Sequence, residues 1–179
     1  MKFLVNFFYT KVLGWKIEGK IDPEIRKCII IVAPHTSWYD FLIGALVRKI
    51  IALEIHYVAK KELFAPPFGW YFSWMGGIAL DRTPKQQKTE AIARLFEKKE
   101  ILRLAISPEG TRKKITRWRT GFYYIAKKAN VSIIMVAFDY GAKTVRFSDP
   151  FSTSEDFEED FKKIAEFYAG VKGKVPENF

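Results

Sequence analysis

The sequence predicts an α/β fold, a single domain in which a mostly parallel sheet is flanked by helices. Short apolar runs rich in β-branched residues, such as 28–32, alternate with longer segments of helical periodicity. The chain has 179 residues, 49% of them hydrophobic, which is the size of one domain with a sizeable core. Because no repeat, low-complexity tract or linker interrupts it, we expect residues 1–179 to form one domain.

The first element is predicted to be an amphipathic helix over residues 2–13, because four apolar side chains fall on one side of it. These side chains are Phe3, Leu4, Phe7 and Phe8. The segment 1–15 is too short to span a bilayer and has no small-residue cleavage site. We therefore expect it to associate with a membrane surface rather than to cross the membrane.

Strands are predicted where short apolar runs are bounded by turn residues, and helices where apolar residues recur every three or four positions. In chain order these are strand 28–32, helix 38–48, strand 55–59, helix 67–75, strand 78–80, a helix ending at Lys99, strand 102–106, helix 121–129, and strands 133–139 and 144–147. The helix ending at Lys99 starts at Thr83-Pro84, a cap followed by proline. An S-x-x-E box from Ser152 to Glu155 predicts a last helix that ends near Gly170.

The charge of the chain is strongly positive and unevenly placed. The net charge is +10, and residues 1–148 carry 26 Lys and Arg against 12 Asp and Glu. Such a body favours polyanionic partners, which are nucleic acid, anionic lipid or an acidic carrier protein, although solubility alone explains it equally well. No zinc-finger spacing or RNA-recognition signature is present, so we do not expect nucleic acid as a partner.

The aromatic content favours contact with lipid. The chain has 16 Phe, 8 Tyr and 5 Trp, and residues 63–80 form a run of 18 uncharged residues. Prolines and glycines within that run argue against one continuous spanning helix. The single cysteine, Cys28, fits a reducing compartment and a buried, inert thiol. We expect a peripheral protein on the cytoplasmic face of the cell membrane, bound to its anionic surface.

Polar clusters follow three of the predicted strands. His35 follows the first strand, Asp81-Arg82 follows the strand ending at Leu80, and Glu109-Gly110-Thr111-Arg112 follows strand 102–106. In α/β folds, ligands bind beyond the carboxyl ends of the strands. The three clusters are therefore expected to converge on one site.

The stretch APHTSWYDF, residues 33–41, has two compatible interpretations. Ser37 and Asp40 fit an S-x-x-D capping box before an apolar helix. A helical Asp40 would also lean back toward His35, accept its imidazole N–H and hold it ready as a general base. The only other histidine, His56, alternates with apolar neighbours and is expected to be a structural strand residue.

The sequence lacks a G-x-S-x-G elbow, a P-loop and a G-x-G-x-x-G motif. A base without such a nucleophile suggests direct activation of a substrate hydroxyl. Arg82 and Arg112, with the N–H groups of loop 109–112, are candidates to hold a phosphate, and Glu109 to orient an arginine or accept a second hydroxyl. Taken singly, each arginine is explained better by a surface ion pair.

Four segments together resemble the glycerolipid acyltransferase family. His35-x-x-x-x-Asp40 is similar to its first block, H-x-x-x-x-D, and residues 60–82 to its second. SPEGTR, Ser107 to Arg112, is similar to the third block, usually F-P-E-G-T-R. WRTGFYYIAKKANVSIIMVAF resembles the segment leading into the fourth, with Ser132 and Met135 where prolines are usual.

The resemblance implies a glycerol-3-phosphate acyltransferase-like fold and transfer of a fatty acyl group from acyl-CoA or acyl carrier protein to a glycerol-phosphate or lysophospholipid hydroxyl. It implies His35 as general base and Asp40 as its orienting partner. The substrate-binding residues implied are Arg82, Glu109, Gly110, Thr111 and Arg112, while Lys60 and Lys61 are candidates to stabilise the oxyanion. No metal or redox cofactor is implied, and the aromatic stretch 64–75 is expected to supply an acyl channel. Two alternatives are a catalytically silent lipid-binding module of the same fold and an acyltransferase for a non-glycerol lysolipid.

Overall fold

The computed structural model describes residues 2–80 and 85–179, with the backbone alone for Lys60, Leu80 and residues 85–88. One seven-stranded sheet forms the centre, in the order β1-β7-β6-β2-β5-β3-β4. The strands are β1 Lys16–Glu18, β2 Lys27–Ala33, β3 His56–Lys60, β4 Gly77–Leu80, β5 Leu102–Ile106, β6 Ser132–Asp139 and β7 Thr144–Phe147. Strands β2 to β6 are mutually parallel, and β7 pairs antiparallel with β6. The predicted mostly parallel α/β sheet is therefore confirmed.

Helices cover both faces of the sheet. They are α1 Lys2–Phe7, continued as a π-helix Phe8–Val12, then α2 Tyr39–Ile51, α3 Gly69–Trp74, α4 Lys85–Lys98, α5 Gly121–Ala129 and α6 Phe157–Phe167, with 3-10 turns at Lys61–Phe64 and Pro176–Asn178. Side chains of α4, α5 and α6 pack on one face, where Ile29 and Ile31 of β2 point. The N-terminal helix and α2 pack on the other face, against Cys28 and Ile30. This alternation along β2 is why its run of apolar residues is buried on both sides.

The register of the central strands determines which segments surround His35. Ile31 of β2 lies opposite Ile106 of β5, and Ala33 of β2 lies opposite Ala137 of β6. Parallel strands end at the same edge of a sheet. The segments that follow β2, β5 and β6 therefore emerge side by side, with the loop after β2 in the middle.

The last helix begins later than predicted. Its N-cap is Asp156, whose side chain accepts the N–H of Glu159, and not Ser152. The chain is still extended at Phe151, which exchanges both backbone hydrogen bonds with Ile133. The N–H of Ser154 is then taken by the carboxylate of Asp160 at 2.6 Å. Tertiary contacts thus displace the helix start to the next acidic cap.

Three further outcomes concern β1, the start of α4 and the membrane. Strand β1 was not predicted, because three residues with one apolar side chain give no clear periodicity. The predicted helix start at Thr83-Pro84 lies outside the described residues. Within the described part of the chain, no helix has the length and apolar character needed to cross a bilayer.

Candidate active site

His35 and Asp40 form a pair at the carboxyl edge of the sheet. The imidazole Nδ1 of His35 lies 3.1 Å from Oδ2 of Asp40. The side chain of Asp40 is 1% exposed and that of His35 is 28% exposed, so the imidazole is open to a ligand while its partner is not. This arrangement directs the Nδ1 proton to the carboxylate and leaves Nε2 available as an acceptor.

The start of α2 brings Asp40 back toward His35. The carboxylate of Asp40 accepts the backbone N–H of Ser37 at 2.9 Å, which is one half of a capping box. The other half is displaced, because the Ser37 hydroxyl accepts the N–H of Tyr39 at 3.3 Å and the regular helix starts at that residue. The predicted cap and the predicted contact with His35 therefore occur together.

Tyr140, which is not among the predicted site residues, completes the surroundings of Asp40. Its hydroxyl donates to Oδ1 of Asp40 at 2.6 Å. Tyr140 is the first residue after β6, in the turn that leads into β7. The rule that selected His35, a polar residue directly after a parallel strand, would also have selected Tyr140.

Glu109 holds the loop that carries His35. Both of its carboxylate oxygens accept the backbone N–H of His35, at 3.0 and 3.1 Å. The residue is 2% exposed, and burial raises the pKa of Glu109 above its ordinary value, while the N–H and the imidazole of His35 lower it. Glu109 was predicted to bind substrate or orient an arginine, and the contact observed is with the backbone of His35.

The loop after Glu109 brings Arg119 to the site. Gly110 has φ +63°, and a Cβ there would lie 2.7 to 2.8 Å from guanidinium atoms of Arg119. Glycine therefore allows this guanidinium to pack against the loop. Thr111 is half-buried and accepts the N–H of Lys113, and Arg112 is exposed. Arg119 was missed because no motif of the third block includes it.

A cavity of about 1010 Å³ adjoins the pair. Its wall includes His35 and Asp40, and apolar side chains from β2, α2, α5 and β6 make up much of the rest. Gly110 and Arg119 also line it, as does Ser107, whose buried hydroxyl has no hydrogen-bond partner among the described residues. The volume is at the upper end of the usual range for small-molecule pockets.

The aromatic stretch 64–75 contributes little to this cavity. Of that stretch only Met75 is among the lining residues. Phe68, Trp70 and Trp74 are at least 66% exposed on and just before α3. This cavity therefore takes little of its lining from the stretch expected to supply an acyl channel, and the three rings are exposed instead.

The other residues predicted to contact the substrate or the oxyanion are Lys60, Lys61 and Arg82. Lys60 ends β3, with its side chain outside the described residues, and Lys61 is exposed at the start of the following 3-10 turn. Arg82 lies outside the described residues.

His56 is in β3 as predicted, with Nε2 3.3 Å from a carboxylate oxygen of Glu54. Cys28 is fully buried, and burial raises the pKa of its thiol to about 12, as an inert thiol requires.

These observations define an α/β protein with a paired imidazole and carboxylate at the carboxyl edge of a parallel sheet, beside a large cavity. The chain belongs to the Acyltransferase family, whose model matches residues 16–139. That range contains the pair, the loop at 109–112 and Arg119.

Two relatives agree with this assignment. The chain is 30% identical over 147 residues to a 1-acyl-sn-glycerol-3-phosphate acyltransferase of Streptococcus pneumoniae, covering 74% of this chain and 54% of the relative. It is 30% identical over 101 residues to the enzyme so named from Bacillus subtilis, covering 55% of this chain and 49% of the relative. The chain thus spans about half the length of these relatives.

A crystal structure has a similar fold. It is the 1-acyl-sn-glycerophosphate acyltransferase PlsC from Thermotoga maritima, with a TM-score of 0.59 and 20% identity. The match covers 93% of this chain and 76% of the PlsC chain. At that identity the likeness concerns the fold alone.

Proposed function

We propose that the protein transfers a fatty acyl group from a thioester, acyl-CoA or acyl carrier protein, to a hydroxyl of a glycerol-phosphate or lysophospholipid acceptor. The observation that carries the proposal is the contact between His35 Nδ1 and Asp40 Oδ2 beside an apolar cavity. Membership of the Acyltransferase family and the names of the two bacterial relatives support the substrate class.

In the proposed reaction, Nε2 of His35 removes the proton from the acceptor hydroxyl. The resulting alkoxide oxygen attacks the thioester carbonyl carbon and forms a tetrahedral intermediate. That intermediate collapses with cleavage of the carbon–sulfur bond, and the leaving thiolate takes the proton from the imidazolium. Asp40 remains ionised throughout and stabilises the imidazolium, as the carboxylate does in other His-based sites.

The acceptor phosphate is proposed to bind at the loop after β5. Arg112 and the N–H groups of loop 109–112 come from the sequence-based hypothesis, and Arg119 adds a guanidinium that packs on Gly110 at the cavity wall. Guanidinium groups bind phosphate through paired hydrogen bonds. Substitution of Arg119 by Gln is therefore expected to raise KM for a phosphorylated acceptor more than it lowers kcat.

The central test is turnover by the purified protein with 1-acylglycerol-3-phosphate and either acyl-CoA or acylated acyl carrier protein, with products identified by mass spectrometry. His35→Ala and Asp40→Asn are expected to lose at least ~100-fold in kcat, since general-base catalysis supplies about 10²–10⁴-fold. Asp160→Asn is the matched control, a buried aspartate on α6, and it should retain turnover. Wild-type activity in folded His35→Ala would exclude the mechanism, and vesicle binding without turnover on any acceptor would favour the silent module.

We also propose that the protein works while bound to the anionic cytoplasmic surface of the cell membrane. Two stretches of exposed apolar side chains support this: the N-terminal helix, with Phe3 77% exposed, and α3, with Trp70 72% exposed. Aromatic side chains of this kind insert at the boundary between head groups and acyl chains. The net charge of +10 adds attraction to anionic lipid.

Sedimentation with phosphatidylglycerol vesicles tests membrane binding, with phosphatidylcholine vesicles for comparison. Combined Phe3→Ser and Phe7→Ser, or Trp70→Ser and Trp74→Ser, should weaken binding without lowering the unfolding midpoint. Ile101→Ser is the control, an exposed apolar residue just before β5 and so at the opposite end of that strand from the site. Equal binding by all variants and by wild type would contradict the proposal.

A further inference from the structure

Asp40 has a third hydrogen-bond partner, Tyr140, which lies in the turn after β6. Oδ2 of Asp40 faces His35 and the N–H of Ser37, and Oδ1 accepts the hydroxyl of Tyr140 at 2.6 Å. We propose that Tyr140 is a positioning residue of the active site, which fixes the Asp40 carboxylate and sets how strongly it favours the imidazolium form of His35.

Tyr140 is itself held from three directions. Its backbone N–H donates to the carbonyl of Lys172 at 2.8 Å. Its ring meets that of Trp15 edge to face, with centroids 4.9 Å apart, and the ammonium of Lys174 lies 5.8 Å from the ring centroid. A side chain fixed in this way presents its hydroxyl to Asp40 with little loss of rotamer freedom.

The hydroxyl remains a neutral donor across the working pH range. Burial and the hydrogen bond to Asp40 raise the pKa of Tyr140 well above its ordinary value. A neutral donor spreads part of the carboxylate charge toward Oδ1, away from the oxygen that faces His35. The hydroxyl of Tyr140 therefore moderates the attraction between the carboxylate and a protonated His35, and also prevents rotation of the carboxylate.

Other titratable groups lie close to His35 or Tyr140 and must be held constant in a test. Glu109 approaches from the loop after β5, and Lys174 of the C-terminal segment lies over the rings of Tyr39 and Tyr140. Tyr9 of the N-terminal helix interacts electrostatically with Tyr140. None of these is altered when Tyr140→Phe removes one oxygen atom.

Tyr140→Phe should have two effects. With one constraint on the carboxylate removed, kcat should fall by about 10-fold while KM changes little, a loss in the range for hydrogen bonds to charged groups. With more charge left on Oδ2, the imidazolium should persist to higher pH, so the acidic limb of the kcat profile should move up by about 0.5 pH unit. A purely structural tyrosine would not move this limb.

A matched control exists in the same chain. Tyr123 also donates its hydroxyl to a buried aspartate, Asp160, at 2.9 Å, and lies in α5. Tyr123→Phe removes an equivalent bond without touching His35 or Asp40. It should leave both kcat and the pH profile unchanged.

An NMR titration of His35 measures the effect of Tyr140 on the imidazole without requiring turnover. The chain has two histidines, so His56→Gln assigns the imidazole signal of His35, and in the other variants His56 serves as an internal reference. Burial lowers the pKa of His56, which helps to separate the two titrations. In Tyr140→Phe the His35 midpoint should rise by about 0.5 pH unit while that of His56 stays fixed.

The effect on turnover rests on the proposed acyl transfer, whereas the titration does not. An absence of turnover in wild type with a shifted His35 midpoint would overturn the proposed function and keep Tyr140 as a positioning residue. An unshifted His35 midpoint, or equal shifts of both histidines, would overturn the inference. If Tyr140→Phe does not fold, Tyr140→3-fluorotyrosine provides a stronger donor and should move the His35 midpoint down, and no movement would refute it.

Discussion

Glu109→Ala should destabilise the protein substantially, because it leaves the backbone N–H of His35 without an acceptor. Both carboxylate oxygens of Glu109 take part, at 3.0 and 3.1 Å, and the residue is 2% exposed. An unpaired buried N–H costs about 1–3 kcal/mol, and the void left by the side chain adds about 1 kcal/mol. We expect a loss of about 3 kcal/mol, which for a domain of this size lowers Tm by about 6–12 °C.

Glu109→Gln separates the hydrogen bond from the charge. Its amide oxygen can still accept the N–H of His35, so its stability should stay within about 1 kcal/mol of wild type. Because burial raises the pKa of Glu109, the wild-type carboxyl holds its proton more tightly when folded than when unfolded. That stabilisation is fully present below pH 4.5, the ordinary pKa of a glutamate side chain. It is lost as pH rises through the pKa that Glu109 has in the folded protein.

Chemical denaturation followed by circular dichroism between pH 4 and pH 8 measures the unfolding free energy of wild type, Glu109→Ala and Glu109→Gln. Relative to Glu109→Gln, wild type should lose stability with rising pH, while the difference between Glu109→Ala and Glu109→Gln should stay constant. Equal stability of the two variants would refute the reasoning, since it would mean that the acceptor oxygen does not hold the loop.

Three other substitutions have expected outcomes. Gly110→Ala should lower the unfolding free energy by about 1–2 kcal/mol, because φ is +63° and the methyl group meets Arg119, while Gly121→Ala, with open space around it, should not. Asp160→Asn should destabilise the protein at neutral pH. Burial alone would raise the pKa of Asp160, but hydrogen bonds from Ser154 and Tyr123 lower it below the ordinary 3.8. The difference in unfolding free energy between Asp160→Asn and wild type should therefore shrink as pH falls below that value. Ser107→Ala removes a buried hydroxyl without a partner among the described residues and should leave stability unchanged or raised by up to about 1 kcal/mol. Thermal and urea unfolding measure the stability of each variant. A clear loss of stability in Ser107→Ala, or no loss in Gly110→Ala, would contradict the structure.

Local patterns account for most of what the sequence predicted. The contact between His35 and Asp40 spans five residues, and a short capping motif with the lean of helical side chains is enough to foresee it. The strands were found because their apolar runs are buried on both faces. The placement of His35 and Glu109 on neighbouring loops followed from a general property of parallel sheets.

Features set by tertiary pairing were not accessible in the same way. The position of Tyr140 directly after a strand would have indicated the site, but its bond to Asp40, 100 positions away, depends on the pairing of β6 with β2. The use of Glu109 on a backbone N–H, rather than on a ligand, depends on the register of β5 against β2. The start of α6 was misplaced because the bond between Phe151 and Ile133 is a long-range contact that outweighs a local box.

The hydrogen bonds that surround the loop after β2 have a consequence for when the candidate site forms during folding. They join residues far apart in the chain: His35 to Glu109 across 74 positions, Asp40 to Tyr140 across 100, and Thr36 to Val175 across 139. Contacts of such high sequence separation close large loops and form late relative to local structure. During refolding from denaturant, the recovery of helical signal should therefore precede the recovery of turnover. A formed site therefore indicates that the chain has folded from the loop after β2 as far as Val175.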